Sequence, residues 1–260
     1  MAVYTKLSEN ELRELFSKYN LGKILDHKEI KEGIENTNYF IKTENGKFIL
    51  TLYEKRVHEK DLPFFIGLMR NLHDKNFLSP EPMINKNGNY ISEILNKKAA
   101  VVSFLEGTAK KVLNPSNCMD VGINAAKLHM ITRGLAGKRK NELSVNSWRK
   151  IYDKVKKDCS KIHSGLNNII EKNLDEIEKN WPKNIPEGII HADLFPDNIF
   201  FKDNKLSGII DFYFACNDFY AFEIAVCLNA LCFEGENENL SFNVTKAKKF
   251  IDGYSKIRVL

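Results

Sequence analysis

Three side chains suited to one reaction fall within eight consecutive residues, His191-Ala192-Asp193-Leu194-Phe195-Pro196-Asp197-Asn198, and a fourth follows in Ile209-Ile210-Asp211-Phe212-Tyr213. These residue types at this spacing suit phosphoryl transfer to a hydroxyl. Such a transfer asks little covalent chemistry of a protein. One carboxylate accepts the hydroxyl proton, while an amide and a second carboxylate hold the Mg2+ ions that offset phosphate charge. Asp193 is the candidate general base, and Asn198 and Asp211 are the candidate metal ligands. His191 reads as a brace for the backbone rather than a proton carrier. Asp197 reads either as a metal contact or as a cap of the turn.

Local elements must bring these groups together. Gly188-Ile189-Ile190 reads as a strand entering the loop. Residues 199–201 and 206–210 read as two short strands around a Lys-Asp-Asn-Lys turn, a hairpin that returns Asp211 beside Asn198. Upstream, Ser8-Glu-Asn-Glu11 is a capping box opening a helix that carries Leu12, Leu15 and Phe16. Strands are expected over 27–33, 39–43 and 48–53, the last two joined at Asn45-Gly46. A helix is expected over 61–75, with Pro63 in its first turn, then strands over 90–95 and 99–105.

From Gly107 onward the pattern turns helical. A helix over 116–130 places Met119, Ile123, Ala126 and Met130 in register. The stretch 145–180 holds two helices broken near Ser164-Gly165, and 219–232 is a buried apolar helix. A last helix, 244–254, carries Val244, Ala247, Ile251 and Tyr254 on one stripe. The fold class is α+β in two lobes: residues 1–103 as a small antiparallel sheet with a packed helix, and 104–260 as a mainly helical lobe bearing the chemistry. Residues 103–107 form the hinge.

A nucleotide has two places to bind. The turn Gly33-Ile34-Glu35-Asn36-Thr37-Asn38 joins the first two strands and could cover phosphates with backbone N–H groups. Gly33, Asn36, Thr37 and Asn38 are its candidates. The hinge Ser103-Phe104-Leu105-Glu106-Gly107 offers backbone groups to adenine, with Val101 and Phe104 as apolar walls. Ser103, Phe104 and Leu105 are the candidates there. The strand between them has Thr51 where a phosphate-anchoring Lys or Arg is expected. Lys42, Lys55 and Arg56 are possible replacements, and Glu59 or Asp61 is the acidic partner on the following helix. His129 reads as a hydrogen-bonding residue of the core rather than a ligand.

The bulk numbers set outer limits. The 260 residues carry a net charge of +5, with lysines scattered rather than clustered. No basic patch or stacking motif marks a nucleic-acid partner. Five cysteines without a C-x-x-C argue against a disulfide framework and a zinc site, and point to a reducing, cytoplasmic setting. No apolar run reaches the length of a membrane span.

Taken together, the strings Glu35-Asn-Thr-Asn-Tyr-Phe40, Leu128-His129, His191-x-Asp193 and Ile209-Ile-Asp211 resemble the aminoglycoside phosphotransferase / choline kinase superfamily. Longer strings are similar to its homoserine-kinase branch: Leu50-Thr-Leu-Tyr-Glu54 with Asp61-Leu-Pro-Phe-Phe65, 191–201, and Asp211-Phe-Tyr-Phe-Ala-Cys216. The resemblance covers essentially the whole chain. It implies a two-lobed protein-kinase-like fold and ATP-dependent phosphorylation of L-homoserine, with ATP and Mg2+ as cofactors, in threonine biosynthesis. It also makes Thr51 a subgroup feature, and implies that Asp218 and Glu223 tie the catalytic loop to the following helix. A kinase of another small alcohol stays open beside it. Homoserine, a zwitterion, wants an anion and a cation; choline wants an aromatic cage, for which Tyr213, Phe214, Phe219 and Tyr220 are the candidates. Relatives of this type continue past Gly253-Tyr254 with more helices, so the resemblance implies a short C-terminus here. An inactive nucleotide-binding remnant is the reading that follows if those helices are indispensable.

Overall fold

The computed structural model of the chain describes residues 4–32, 35–54, 57–235 and 239–260. Helix α1 (Glu9–Ser17) opens with the expected box: the Ser8 hydroxyl accepts from the Glu11 amide, and the Glu11 carboxylate accepts from the Ser8 amide. Strands β1 (Ile24–Ile30), β2 (Thr37–Thr43) and β3 (Gly46–Leu52) follow, then helix α2 (Leu62–Asp74), β4 (Ile91–Ile94) and β5 (Lys97–Ser103). They form a five-stranded antiparallel sheet in the order β1-β2-β3-β5-β4. Strand alternation gives the sheet two working faces. Tyr39, Ile41, Phe48, Leu50, Leu52, Ala99 and Val101 pack on Leu12, Leu15 and Phe16 of α1. Ala100 and Val102 point the other way and join Phe65, Leu68 and Leu72 of α2 in a core that runs on into the second half of the chain.

That second half holds β6 (Thr108–Ala109), α3 (Pro115–Ile131), α4 (Val145–Ile162), α5 (Leu166–Asn180) and β7 (Glu187–Ile190). After them come β8 (Ile199–Lys202), β9 (Lys205–Ile209), β10 (Cys216–Phe219) and α6 (Tyr220–Cys232). The chain closes with β11 (Phe233–Glu234), β12 (Ser241–Phe242) and α7 (Val244–Ser255). The hairpin β8–β9 forms as expected, and β6 adds to its edge. Gly165, at φ 83°, separates α4 from α5 where the break was expected.

Three features differ from the sequence reading. β1 starts at Ile24, earlier than the apolar pattern suggests. β10 was missed: Cys216-Asn217-Asp218-Phe219 has no alternation, and only its pairing with β7 makes it a strand. The stripes of α3 and α7 are borne out only in part. Ala126, Ala247 and Tyr254 are buried as expected, but Met130 and Val244 are exposed, and Cys118, Val121, Gly122 and Ala125 of α3 and Phe250 and Gly253 of α7 are buried. The helices cross at glycines. A Cβ on Gly122 would lie 2.1 Å from the Phe250 carbonyl oxygen, and one on Gly253 would lie 2.2 Å from that of Met119. Glycine is invisible to an apolar-stripe count, so the stripe missed the centre of the contact.

All five cysteines are free and buried. Among the described residues, no helix is long and apolar enough to cross a membrane.

Candidate active site

β7 delivers the chain to His191 at the centre of the helical half. His191 is fully buried. Its Nε2–H donates to the Ile210 carbonyl at 2.9 Å, and its Nδ1 accepts from the Asp193 amide at 3.2 Å, an assignment that makes the ring neutral. Burial pushes its pKa down, against the pull of the Glu223 carboxylate. The ring therefore braces the loop from both ends.

Glu223, also buried, reaches from α6 to accept from the amides of His191 and Ala192, the latter at 3.1 Å. Ala192 sits at φ 65°, a conformation costing an alanine about 1 kcal/mol. The carboxylate holds it there. On its other side, His129 Nε2 lies 3.8 Å from Glu223, and His129 Nδ1 is 2.7 Å from the Tyr254 hydroxyl. The Tyr220 ring stacks on His129 at 4.3 Å. Thus α3, α6 and α7 meet behind the loop.

Asp193 projects from this brace into the cleft. The Asn198 side-chain amide donates to its Oδ2 at 2.8 Å and to its main-chain carbonyl at 2.9 Å. The amide's N–H groups are thereby spent, which turns Asn198 Oδ1 into the spare acceptor. The Ile210 amide donates to the Asn198 carbonyl at 3.0 Å, so the hairpin returns Asp211 beside Asn198. Asp211 itself is left-handed, at φ 62°. Burial raises the Asp193 pKa, while His191 and Asn198 oppose the rise. Asp211 keeps solvent access on one side, yet protein surrounds the rest. Burial first, then the charges of Asp193, Glu35 and Asp197, push it up to about 7 from 3.8, against a hydrogen bond from the Tyr213 amide.

This donor set fits a phosphate-bound divalent ion. Among the described residues, carboxylates crowd together there without a counter-charge, and an amide oxygen stands beside them. Among the described residues there is no closed group of three or more His, Cys, Asp or Glu side chains for a metal. Mg2+ needs none, because it keeps waters and shares its shell with substrate phosphates.

The nucleotide side is assembled differently. Gly33, Lys55 and Arg56 lie outside the described residues. Thr37 is turned away from the cleft: its hydroxyl accepts from the Tyr4 and Thr5 amides, donates to Glu54, and is fully buried. Asn36 is buried too, its Oδ1 accepting from the Glu54 amide at 3.3 Å. The side chains of Asn36 and Thr37 thus serve structure, and the expectation that this turn covers phosphates rests on its backbone N–H groups. Asn38, one strand position on, faces the cleft, and its Oδ1 accepts from the Thr51 hydroxyl at 2.8 Å.

At the hinge, the Ser103 amide donates to the Glu81 carbonyl and its hydroxyl accepts from the Glu81 amide at 2.9 Å. The Phe104 amide donates to the Lys47 carbonyl. Neither N–H is left for adenine. Among the described residues the Leu105 amide has no partner within the chain, so it is the hinge N–H still open to a ligand. The Phe104 ring packs edge-on against Phe40 at 5.3 Å, as a wall.

Of the two acidic candidates before α2, Asp61 is engaged, but by Arg139 Nε at 2.9 Å rather than by a strand lysine. Arg139 also reaches the carbonyls of Phe214 and Ala215 behind the metal motif. Sequence reasoning missed Arg139, which lies in a segment with no periodicity. The proposed aromatic cage does not assemble: Tyr213 packs on Tyr53 and Phe65, whereas Tyr220 stacks on His129.

A small sheet lobe, a hinge and a helical lobe carrying this loop define a phosphotransferase of the two-lobed kinase-like fold. A model of the family described as "Phosphotransferase enzyme family" matches residues 26–258, and the chain belongs to that family. It is 45% identical to the homoserine kinase of Nitrobacter hamburgensis, covering all of this chain and 79% of that protein. It is 46% identical to the homoserine kinase of Beijerinckia indica, covering all of this chain and 80% of that one. Among solved structures, an amicoumacin kinase in complex with AMP-PNP, Ca2+ and Ami superposes with a TM-score of 0.74 at 14% identity, over 98% of this chain and 79% of that one. A spectinomycin phosphotransferase with ADP superposes at 0.73 and 15% identity, over 98% and 82%.

Proposed function

We propose that this chain transfers the γ-phosphoryl group of ATP to the side-chain hydroxyl of L-homoserine, giving O-phospho-L-homoserine for threonine biosynthesis. The relatives identical at about 45% over its whole length carry the substrate assignment. The union of Asp193, Asn198 and Asp211 at one cleft carries the chemistry.

Asp193 takes the proton of the homoserine hydroxyl as that oxygen attacks. Its Oδ2 is anchored by Asn198, so the other carboxylate oxygen is the one presented to substrate. Asn198 Oδ1 and Asp211 hold Mg2+, which when bound neutralises charge on the transferring phosphates. His191 and Glu223 keep the loop in its strained shape, and no phosphoenzyme is required. The backbone at Leu105 seats adenine against the Phe104 wall. Asn38 and the preceding turn lie over the phosphates. We place the lobe boundary at 103/104, and the cytoplasm, where ATP is held, as the site of action.

A competition assay tests the substrate. With Mg2+-ATP, kcat/KM for L-homoserine should exceed that for choline or a hexose by roughly 10²-fold or more, since a site built to pair an amino acid's amine and carboxylate rejects compounds that lack them. Preference for choline or a sugar would overturn the assignment.

A further inference from the structure

Thr51 stands at the strand position where a phosphate cation is expected, and its hydroxyl donates to Asn38 Oδ1 at 2.8 Å. Two residues on, the Tyr53 hydroxyl donates to that of Tyr213 at 3.1 Å. That bond crosses the cleft, because Tyr53 flanks β3 and Tyr213 lies two residues beyond Asp211.

Tyr213 lies in the short turn, 212–214, that Asp211 opens. Its ring meets Tyr53 edge-on at 5.2 Å and Phe65 of α2 at 5.7 Å. The Arg139 guanidinium lies over the opposite ring of that pair, Phe65, at 5.1 Å while pairing with Asp61. In protein kinases, an ion pair between a strand lysine and a helix carboxylate aligns the nucleotide sheet. Here the helix-side carboxylate, Asp61, is committed to Arg139, and the strand position is a threonine.

Resting on the phosphoryl-transfer reading above, we propose that Tyr213 is a positioning residue whose hydroxyl, through Tyr53, registers Asp211 against the nucleotide-binding strands.

Tyr213→Phe keeps both ring contacts and removes the hydroxyl. Binding of ADP, titrated calorimetrically over a range of Mg2+, should need about 5-fold more Mg2+ for half-saturation, the scale of one lost hydrogen bond. ADP binding without Mg2+ should be unchanged. In turnover, kcat should fall about 10-fold with KM for homoserine unmoved. Tyr53→Phe removes the donor from the other side and should shift the Mg2+ requirement in the same sense. Should Tyr213→Phe fail to fold, Tyr53→Phe alone decides. A lower melting temperature with an unaltered Mg2+ requirement in both variants would show that the hydroxyls serve packing only, and would overturn the proposal. The Mg2+ titration is a binding measurement, so it is separable from the catalytic reading: Asp193→Asn keeping full turnover would sink that reading instead.

Discussion

The two walls of the cleft are built by opposite strategies. On the helical side, the loop is held by buried charge and buried rings: Glu223 clamps two amides, and His191 bonds both Asp193 and Ile210. On the sheet side, the described residues place no buried charge at the cleft face. Alternation alone decides which residues of β2 and β3 face the nucleotide, and the polar link there is the neutral pair of Asn38 and Thr51. A loop that must hold a strained alanine and a desolvated base needs a rigid frame. A sheet that closes over a nucleotide and releases it is served by weaker, exchangeable contacts.

The largest effects should come from the metal groups on the helical wall. Asn198→Ala and Asp211→Ala should each weaken Mg2+-dependent ATP binding by roughly 10²-fold while sparing metal-free binding, as read by Mg2+ titration at fixed ATP. The same carboxylate sets a pH dependence. With Asp211 at about 7 against 3.8 for a free aspartate, folding of the unliganded chain takes up a proton in that window. Its contribution to stability is therefore lost as pH rises from about 4 to 7. Mg2+-nucleotide affinity runs the other way, rising by up to about tenfold per pH unit until about pH 7 and then levelling. Asp211→Asn should flatten both slopes; melting and binding measured across pH 5 to 8 check this.

A middle-sized effect is expected at Glu223. Glu223→Gln turns an NH2 toward donors that need an acceptor, so kcat should fall about 10-fold and the fold should lose about 1–3 kcal/mol, measured by denaturant melts. An unchanged kcat would show that the frame behind the loop does not position Asp193. The smallest effect belongs to the sheet wall: Ser103→Ala should change KM for ATP by less than about 2-fold, because that hydroxyl is already taken by the Glu81 amide. A large rise in KM would return Ser103 to the nucleotide site and erase the contrast.

The same contrast explains what could be read from the chain. The proposed base and metal ligands lie close in sequence, and the hairpin that returns Asp211 is a local object, so residue spacing carried the helical wall. The nucleotide wall depends on strand parity. Thr37 and Asn38 look alike in sequence, yet one faces the N-terminal segment and the other the cleft. Likewise, the pairing that occupies Ser103 is with Glu81, a residue distant in sequence and without a strand signal of its own. Arg139 and β10 were illegible for the same reason, since each is defined by its partner rather than by its own pattern. The α3–α7 crossing turned on two glycines, which no apolar count detects.

The most direct test is a single-turnover measurement of Asp193→Asn beside the unaltered chain, with L-homoserine and Mg2+-ATP at saturation and nucleotide affinity measured in parallel. The account predicts a chemical step slower by roughly 10²-fold or more with nucleotide affinity nearly unchanged. A variant that transfers phosphate at the normal rate would contradict the assignment of Asp193 as the base and, with it, the reading of the whole loop.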